Sequence, residues 1–169
     1  MLQDSYKGLE QWCAFFSMNA LPEDVPWSRL QHAPRRRAIL IHPVDAKAEN
    51  NEKSSCYMVY TNTIEASEQK PDRSMEQQKA TLASLFEGFP GPFGKRALQG
   101  IRDANDLYFC ETAQIKLPKW SNGRCVLIGD AAYAPSPASG QGTVLAVLGA
   151  YLIAGELATN PNPEAAFAI

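Results

Sequence analysis

A chain of 169 residues has room for one domain or parts of two. Its formal charge of −2 and 45% hydrophobic content are ordinary for a globular protein; the charge argues neither for nucleic acid nor for an anionic membrane surface, and no nucleic-acid partner is expected. The cysteines Cys13, Cys56, Cys110 and Cys125 are scattered with no C-x-x-C pair, which fits neither a zinc site nor a secreted disulfide scaffold. Free thiols, buried or half-buried, in a reducing compartment are expected instead, with no metal bound.

The opening "MLQDSYKGLE" carries Asp4, Lys7 and Glu10 and lacks the apolar centre of a signal peptide. A cytoplasmic chain is therefore expected. "WCAFFSM" (12–18), "RAILIHPV" (37–44) and "CYMVYTNT" (56–63) are rich in β-branched and aromatic residues and predict strands. "PEDVPWSRLQHAP", with three prolines, predicts a short edge element, and Arg35-Arg36-Arg37 a solvated turn. Arg37 opens an apolar strand, so its reach to a substrate or nicotinamide phosphate is the alternative to a solvated strand end. The charged stretches "DAKAENNEKSS" and "IEASEQKPDRS" predict exposed connections.

A helix is predicted from Ser74, where Ser-x-x-Gln forms a capping box. Met75, Leu82, Leu85, Phe86 and Phe89 fall near one face, and Gly88 with Pro90 stops the run. "GKRALQGIRDAND" predicts a weaker second helix. "LYFCETAQIKL" (107–117) mostly alternates, with Tyr108, Thr112, Gln114 and Lys116 on the wet side and Glu111 interrupting the apolar one.

Composition shifts after Leu117. "RCVLIGD" predicts a short strand buried on both faces of a sheet. The run from Gly142 to Ala158 predicts a helix that is apolar around most of its circumference, with Glu156 its single charge, and such a helix must be covered on most sides. Its most apolar part, residues 144–155, is shorter than the ~18–20 residues a membrane span needs, so none is expected.

Between strand and helix lies "GDAAYAPSPASGQG", which offers no catalytic nucleophile or base. Open sheets place ligands at the carboxyl ends of their strands. Gly140 and Gly142 allow close backbone approach, the helix's first turn offers free N–H groups and a positive dipole end, and Asp130 adds an acceptor suited to a polyol hydroxyl. Pro135 and Pro137 stiffen the loop. The alternative is a structural turn capped by Asp130. "GQGTVL" lacks the third glycine of a dinucleotide fingerprint, so spacing alone gives a ligand site of unstated identity.

The whole run "GRCVLIGDAAYAPSPASGQGTVLAVLGAYLIAGELA" (123–158) resembles the second flavin-binding motif of FAD-dependent aromatic hydroxylases. These are the para-hydroxybenzoate-hydroxylase-like monooxygenases, tetracycline-modifying enzymes among them. "APRRRAILIHP", the helix after Ser74 and "LYFCETAQIKLPKWSNGR" resemble the substrate-domain sheet and return strand of that family. Tyr133 stands where histidine is usual, and Val144 follows Thr143 where asparagine is frequent nearby.

The resemblance implies an α+β or α/β fold. Residues 1–117 would form a substrate-domain mixed sheet with helices, and 118–169 the last strand and helix of a FAD-binding domain. It implies that Asp130 hydrogen-bonds the ribityl chain of FAD, that Pro137 lies against the flavin, and that the backbone at Gly140, Gln141, Gly142 and Thr143 faces its pyrimidine edge. The implied reaction reduces FAD with NAD(P)H and transfers one oxygen atom from O2 to an aromatic or polyketide-like small molecule.

The family's N-terminal G-x-G-x-x-G half has no counterpart here, so the chain is expected to be a C-terminal portion that pairs with such a half. Alone, it is expected to be poorly soluble or partly molten. The competing reading is a non-catalytic remnant or gene fragment with no FAD binding of its own. His32 and His42 are expected to be structural, Tyr60 and Tyr108 to pack in the core or on the sheet, and Trp120 to pack under the Gly-Asp loop.

Overall fold

The computed structural model describes residues 5–44, 52–62 and 74–167. Most of the two expected charged connections, and the end of the third predicted strand at Thr63, lie outside these residues. Two compact units emerge: Glu10–Glu111, and Met1–Leu9 together with Thr112–Ile169.

A five-stranded sheet organises the first unit. It contains β1 (Tyr6–Asn19), β2 (Arg29–Ala33), β3 (Arg37–Pro43), β4 (Lys53–Thr61) and β5 (Tyr108–Ile115), in the order β2-β3-β4-β1-β5. The β2–β3, β3–β4 and β1–β4 pairs are antiparallel, with Phe16 and Ile41 flanking Cys56 in register. The strand period of two sends Ala14, Phe16, Met18, Ile39, Ile41, Cys56 and Met58 to one face. Two helices cover it: α1 (Met75–Leu85) and α2 (Gly91–Asp103). Leu82, Phe86, Phe89, Ala97 and Ile101 complete the buried core. Gly100 allows α2 to come this close, because a Cβ there would stand 2.9 Å from Phe16 Cε2.

The predicted capping box opens α1. Ser74 Oγ accepts the Gln77 N–H at 3.3 Å, and Gln77 Oε1 accepts the Ser74 N–H at 3.3 Å. The other end shows why the arginine triplet is not a uniform solvated turn. Arg35 and Arg36 make the turn with φ of 63° and 54°, whereas Arg37 is 3% exposed. Its guanidinium donates to the carbonyls of Pro34 (3.0 Å), Leu85 (3.2 Å) and Glu87 (2.9 Å), and lies over the Phe89 ring. A cation at a helix C-terminus satisfies carbonyls that the helix cannot. Arg37 is therefore not a solvated strand end: its guanidinium is buried and taken up by these carbonyls.

A second buried charge ties the sheet to α2. Asp24, in a single 3-10 turn (Pro22–Asp24), is fully buried. It accepts from Arg96 at 2.6 and 2.5 Å, Arg29 at 2.6 Å, Ser54 Oγ at 2.7 Å and the Leu21 N–H at 2.9 Å. Burial would raise its pKa, but those donors, Arg96 foremost, outweigh burial and hold the carboxyl well below the usual range.

Glu111, the residue that interrupts the apolar side of β5, also has a use. Glu10 sits in β1 at a φ of 51°, and its N–H donates to Glu111 Oε1 at 3.3 Å. The alternation expected along β5 is lost. Thr112, assigned to the wet side, is its one buried residue, because this edge strand is half-covered along most of its length.

In the second unit a hairpin of β6 (Ser121–Asn122) and β7 (Cys125–Val126) turns at Gly123 and leads to α3 (Asp130–Tyr133), α4 (Gly142–Thr159) and α5 (Pro163–Ala166). The strand expected to be buried on both faces is a two-residue strand in an antiparallel hairpin. Cys125 is exposed rather than half-buried, and Leu127 is 45% exposed. A strand can be buried on both faces only where neighbours pair and cover it, and among the described residues β6 is its sheet partner.

Candidate functional site

The Gly-Asp turn is built from backbone strain that only glycine carries easily. Gly129 has φ 66° and ψ −141°, and its carbonyl accepts the N–H groups of Ala132 and Tyr133 at 3.0 Å, closing the single turn of α3. A Cβ at Gly129 would stand 3.3 Å from Ala146 Cβ, so the turn rests directly on α4. The end of β5 holds the following loop, with the Ile115 N–H donating to the Ala134 carbonyl at 3.2 Å.

The loop then folds back to start α4. Ser136 Oγ accepts the Ala138 N–H at 3.3 Å, which sets a 3-10 turn at Pro137–Ser139. Gly140 follows in the left-handed region at φ 66°. Its N–H donates to the Pro137 carbonyl at 3.1 Å, and the Gln141 N–H donates to Ser139 Oγ at 3.2 Å. Gln141 is the N-cap residue and its carbonyl accepts from Leu145 at 3.0 Å. The N–H groups of Gly142, Thr143 and Val144 open the helix and have no carbonyl within it to bond.

The six predicted site residues thus fall on one short loop. Asp130, Pro137, Gly140, Gln141 and Thr143 are exposed and Gly142 is half-buried. The turn brings Asp130 back to the helix start: a Cβ at Gly142 would lie 4.0 Å from Asp130 Oδ1, while one at Gly140 would meet nothing within 4 Å. An exposed acceptor carboxylate therefore stands beside exposed helix donors, with no side chain between them. Gly140 and Gln141 differ from the rest, because their N–H groups are engaged inside the loop.

Sequence reasoning missed Gly149. Its α-carbon faces Tyr133, and a Cβ there would collide with the Tyr133 hydroxyl and approach Ile128 Cγ2 to 3.3 Å. That hydroxyl donates to the Leu145 carbonyl at 3.5 Å, and Trp120 packs edge-on to the Tyr133 ring at 5.2 Å. Trp120 therefore packs against the Gly-Asp turn, as expected. The available signal was the spacing of Ala146 and Gly149, two small residues on one face of an otherwise bulky apolar helix. Beside them lies a cavity of about 480 Å³ lined by Trp120, Leu127, Ile128, Tyr133, Leu152 and Ile153.

The histidines take no part. Both are exposed and lie in the other unit, with His42 Nδ1 2.6 Å from Ser28 Oγ. Among the described residues no group of three or more His, Cys, Asp or Glu side chains is placed to hold a metal. Along α4 no residue is buried, and Val144, Val147, Tyr151 and Leu152 are each more than half exposed. At 18 residues α4 is long and apolar enough to cross a bilayer by length and composition, so the sequence argument from length does not hold.

A family model described as "FAD binding domain" matches residues 4–167. The chain belongs to this FAD-binding family. It is 45% identical over 153 residues to Monooxygenase CTB7 of Cercospora beticola, covering 89% of this chain and 36% of that one. It is 44% identical over 89 residues to the FAD-dependent monooxygenase asL6 of Sarocladium schorii, covering 51% of this chain and 20% of the relative. The crystal structure of tetracycline destructase Tet(55) superposes with a TM-score of 0.80 at 31% identity, over 99% of this chain and 43% of that one. The family is thus that of FAD-dependent monooxygenases of the aromatic-hydroxylase type. Its cofactor is FAD, and the mixed α+β fold described above is its fold. The chain spans between a fifth and under half of the length of these relatives.

Proposed function

We propose that residues 118–169 supply the flavin edge of a FAD-dependent monooxygenase, and that residues 1–117 supply a substrate-side sheet. The observation that carries this reading is the juxtaposition of Asp130 with the start of α4, across glycines that keep the space open. The donor set fits FAD: an acceptor carboxylate for ribityl hydroxyls, and helix N–H groups for the electron-rich pyrimidine edge. Pro137 offers a rigid apolar surface to the ring. Gln141 contributes its exposed side chain, and Gly140 its left-handed turn.

Bound FAD supplies the redox and oxygen chemistry, with NAD(P)H as reductant, which is why the loop carries no nucleophile or base. The protein's own part is to seat the ring, place positive potential where reduced flavin gathers negative charge, and keep the turn from collapsing. Likeness to a tetracycline destructase supports an aromatic or polyketide-like substrate. The bare face of α4 belongs, in this reading, against the nucleotide-binding half of a full-length enzyme in the cytoplasm, and not in a bilayer. That same bare face favours the second reading, a piece with no FAD binding of its own.

Flavin fluorescence separates the two. FAD is titrated into this chain alone and into a full-length version completed with the remaining part of a relative. The completed protein is expected to retain FAD, and Asp130→Ala to weaken retention by roughly 10- to 150-fold, the effect of one hydrogen bond to a charged group at about 1.5–3 kcal/mol. Equal flavin occupancy in the two completed proteins would refute the role of Asp130. Absence of flavin from both would refute the site.

A further inference from the structure

We propose that Cys13 and Cys110 form a cross-strand dithiol that closes to a disulfide under oxidising conditions and staples the edge strand β5 to β1. The two strands are hydrogen-bonded neighbours, with β5 at the sheet edge. Their direction follows from four contacts. The Ser17 N–H donates to both carboxylate oxygens of Asp106 at 3.1 Å, and the Phe15 and Tyr108 rings lie 6.1 Å apart. Trp12 meets Phe109 at 5.5 Å, and the Glu10 N–H meets Glu111 at 3.3 Å. Positions rise along β5 as they fall along β1, so the pair is antiparallel; Ser17–Asp106 and Phe15–Tyr108 share one register, and Trp12–Phe109 and Glu10–Glu111 are contacts offset from it by two residues.

Phe15 and Tyr108 share one face of the sheet. Side chains return to the same face every second residue, so continuing the Ser17–Asp106 and Phe15–Tyr108 register sets Cys13 against Cys110 on that face. Directly opposed residues hold their Cβ atoms about 4.5–5.5 Å apart, and a disulfide needs about 3.5–4.5 Å. An edge strand can make up that difference, having a strand partner on one side only.

Burial raises both thiols, Cys13 to about 11 with a further contribution from Cys110. Both are therefore protonated at neutral pH, and the pair stays reduced until an oxidant reaches it, reacting faster as pH rises. With glutathione disulfide as oxidant, the half-exposed Cys110 attacks as thiolate and releases one glutathione. Cys13, deprotonated in turn, attacks Cys110 Sγ in the mixed disulfide and releases the second. Two electrons pass from the protein to glutathione disulfide, and the two protons given up by the protein thiols are balanced by those on the two glutathione thiols made. Cys56 does not compete, because it lies in the core opposite Phe16 with its thiol pushed up to about 12.

The test uses the full chain carrying Cys125→Ser, which removes the exposed thiol of the other unit. The protein is incubated with glutathione disulfide between pH 7.5 and 9, remaining thiols are alkylated, and peptides are mapped unreduced by mass spectrometry. A Cys13–Cys110 peptide is expected to dominate, forming up to about tenfold faster per pH unit as thiolate accumulates. Adding Cys110→Ser should abolish every intramolecular link. Comparable yields of links through Cys56, or both cysteines recovered reduced at pH 9, would overturn the proposal. The ratio of links in the Cys125→Ser protein decides the matter even if the second variant fails to fold.

Discussion

Replacing Asp24 by Asn removes one buried negative charge while keeping size and shape, and the surrounding geometry fixes the cost. Asp24 is fully buried, Arg96 has 18% of its side chain exposed and Arg29 34%. The Arg96 pair is bidentate and mostly desolvated, so leaving that guanidinium without its partner costs about 3–5 kcal/mol. The more exposed Arg29 contact is screened by water and adds about 0–1 kcal/mol. Arg96→Met should therefore destabilise clearly more than Arg29→Met. Urea unfolding followed by tryptophan fluorescence reads all three.

The pH dependence has a definite sign. The folded carboxyl titrates below its unfolded value, so its stabilisation is complete above about pH 4 and is lost as pH falls below that. Asp24→Asn should flatten this acid limb. A loss under about 1 kcal/mol, or acid limbs of the same depth in both proteins, would show that the cluster is not the lock between the sheet and α2.

Gly149→Ala should cost about 1–3 kcal/mol by driving a methyl into the Tyr133 hydroxyl, and adding Tyr133→Phe should recover much of that, as thermal melts of the single and double variants would show. Arg37→Met keeps the packing stem but leaves the Leu85 and Glu87 carbonyls bare, for an expected loss of about 1.5–3 kcal/mol in chemical denaturation. The alkaline side runs opposite to the acid side. Burial raises Cys13 to about 11 and Cys56 to about 12, so the folded state keeps protons that the unfolded chain releases. Melting temperature should therefore fall as pH climbs from about 9 upward, and a flat profile to pH 10.5 would contradict the burial of both thiols.

The elements with strong periodicity were legible in the sequence. The strands at β1, β3 and β4, the edge position of β2, and the Ser74 cap all follow from β-branched runs, prolines and hydroxyl spacing that act locally. What was not legible depends on partners far along the chain. Arg37 looks like its two neighbours until the end of α1 arrives beside it. Glu111 looks like an error in an apolar face until Glu10 turns its N–H toward it. At the site, the six loop residues all fall between positions 130 and 143 and are therefore readable together. The brace formed by Tyr133 and Gly149 spans two elements: the spacing of Ala146 and Gly149 marks its helix side, and no local rule marks Tyr133 as the partner.

The two units differ in how far they satisfy themselves. Between Glu10 and Glu111 the sheet face is closed by Leu82, Phe86 and Ile101, each at most 1% exposed. Among the described residues of the second unit the fully buried apolar side chains are alanines, Ala132 and Ala166, and α4 presents Val147 and Tyr151 at 65% and 74% exposure. Apolar surface left in water forfeits about 25 cal/mol per Å². The loop that would seat flavin thus rests on a helix whose own burial must come from elsewhere. Gly129 on Ala146 and Tyr133 on Gly149 join that loop to the helix at two points of close approach. Whatever covers α4 therefore also steadies the Asp130 turn, and by linkage a ligand held by that turn favours the covered state. Under the proposed function, cofactor retention and the covering of α4 form one equilibrium.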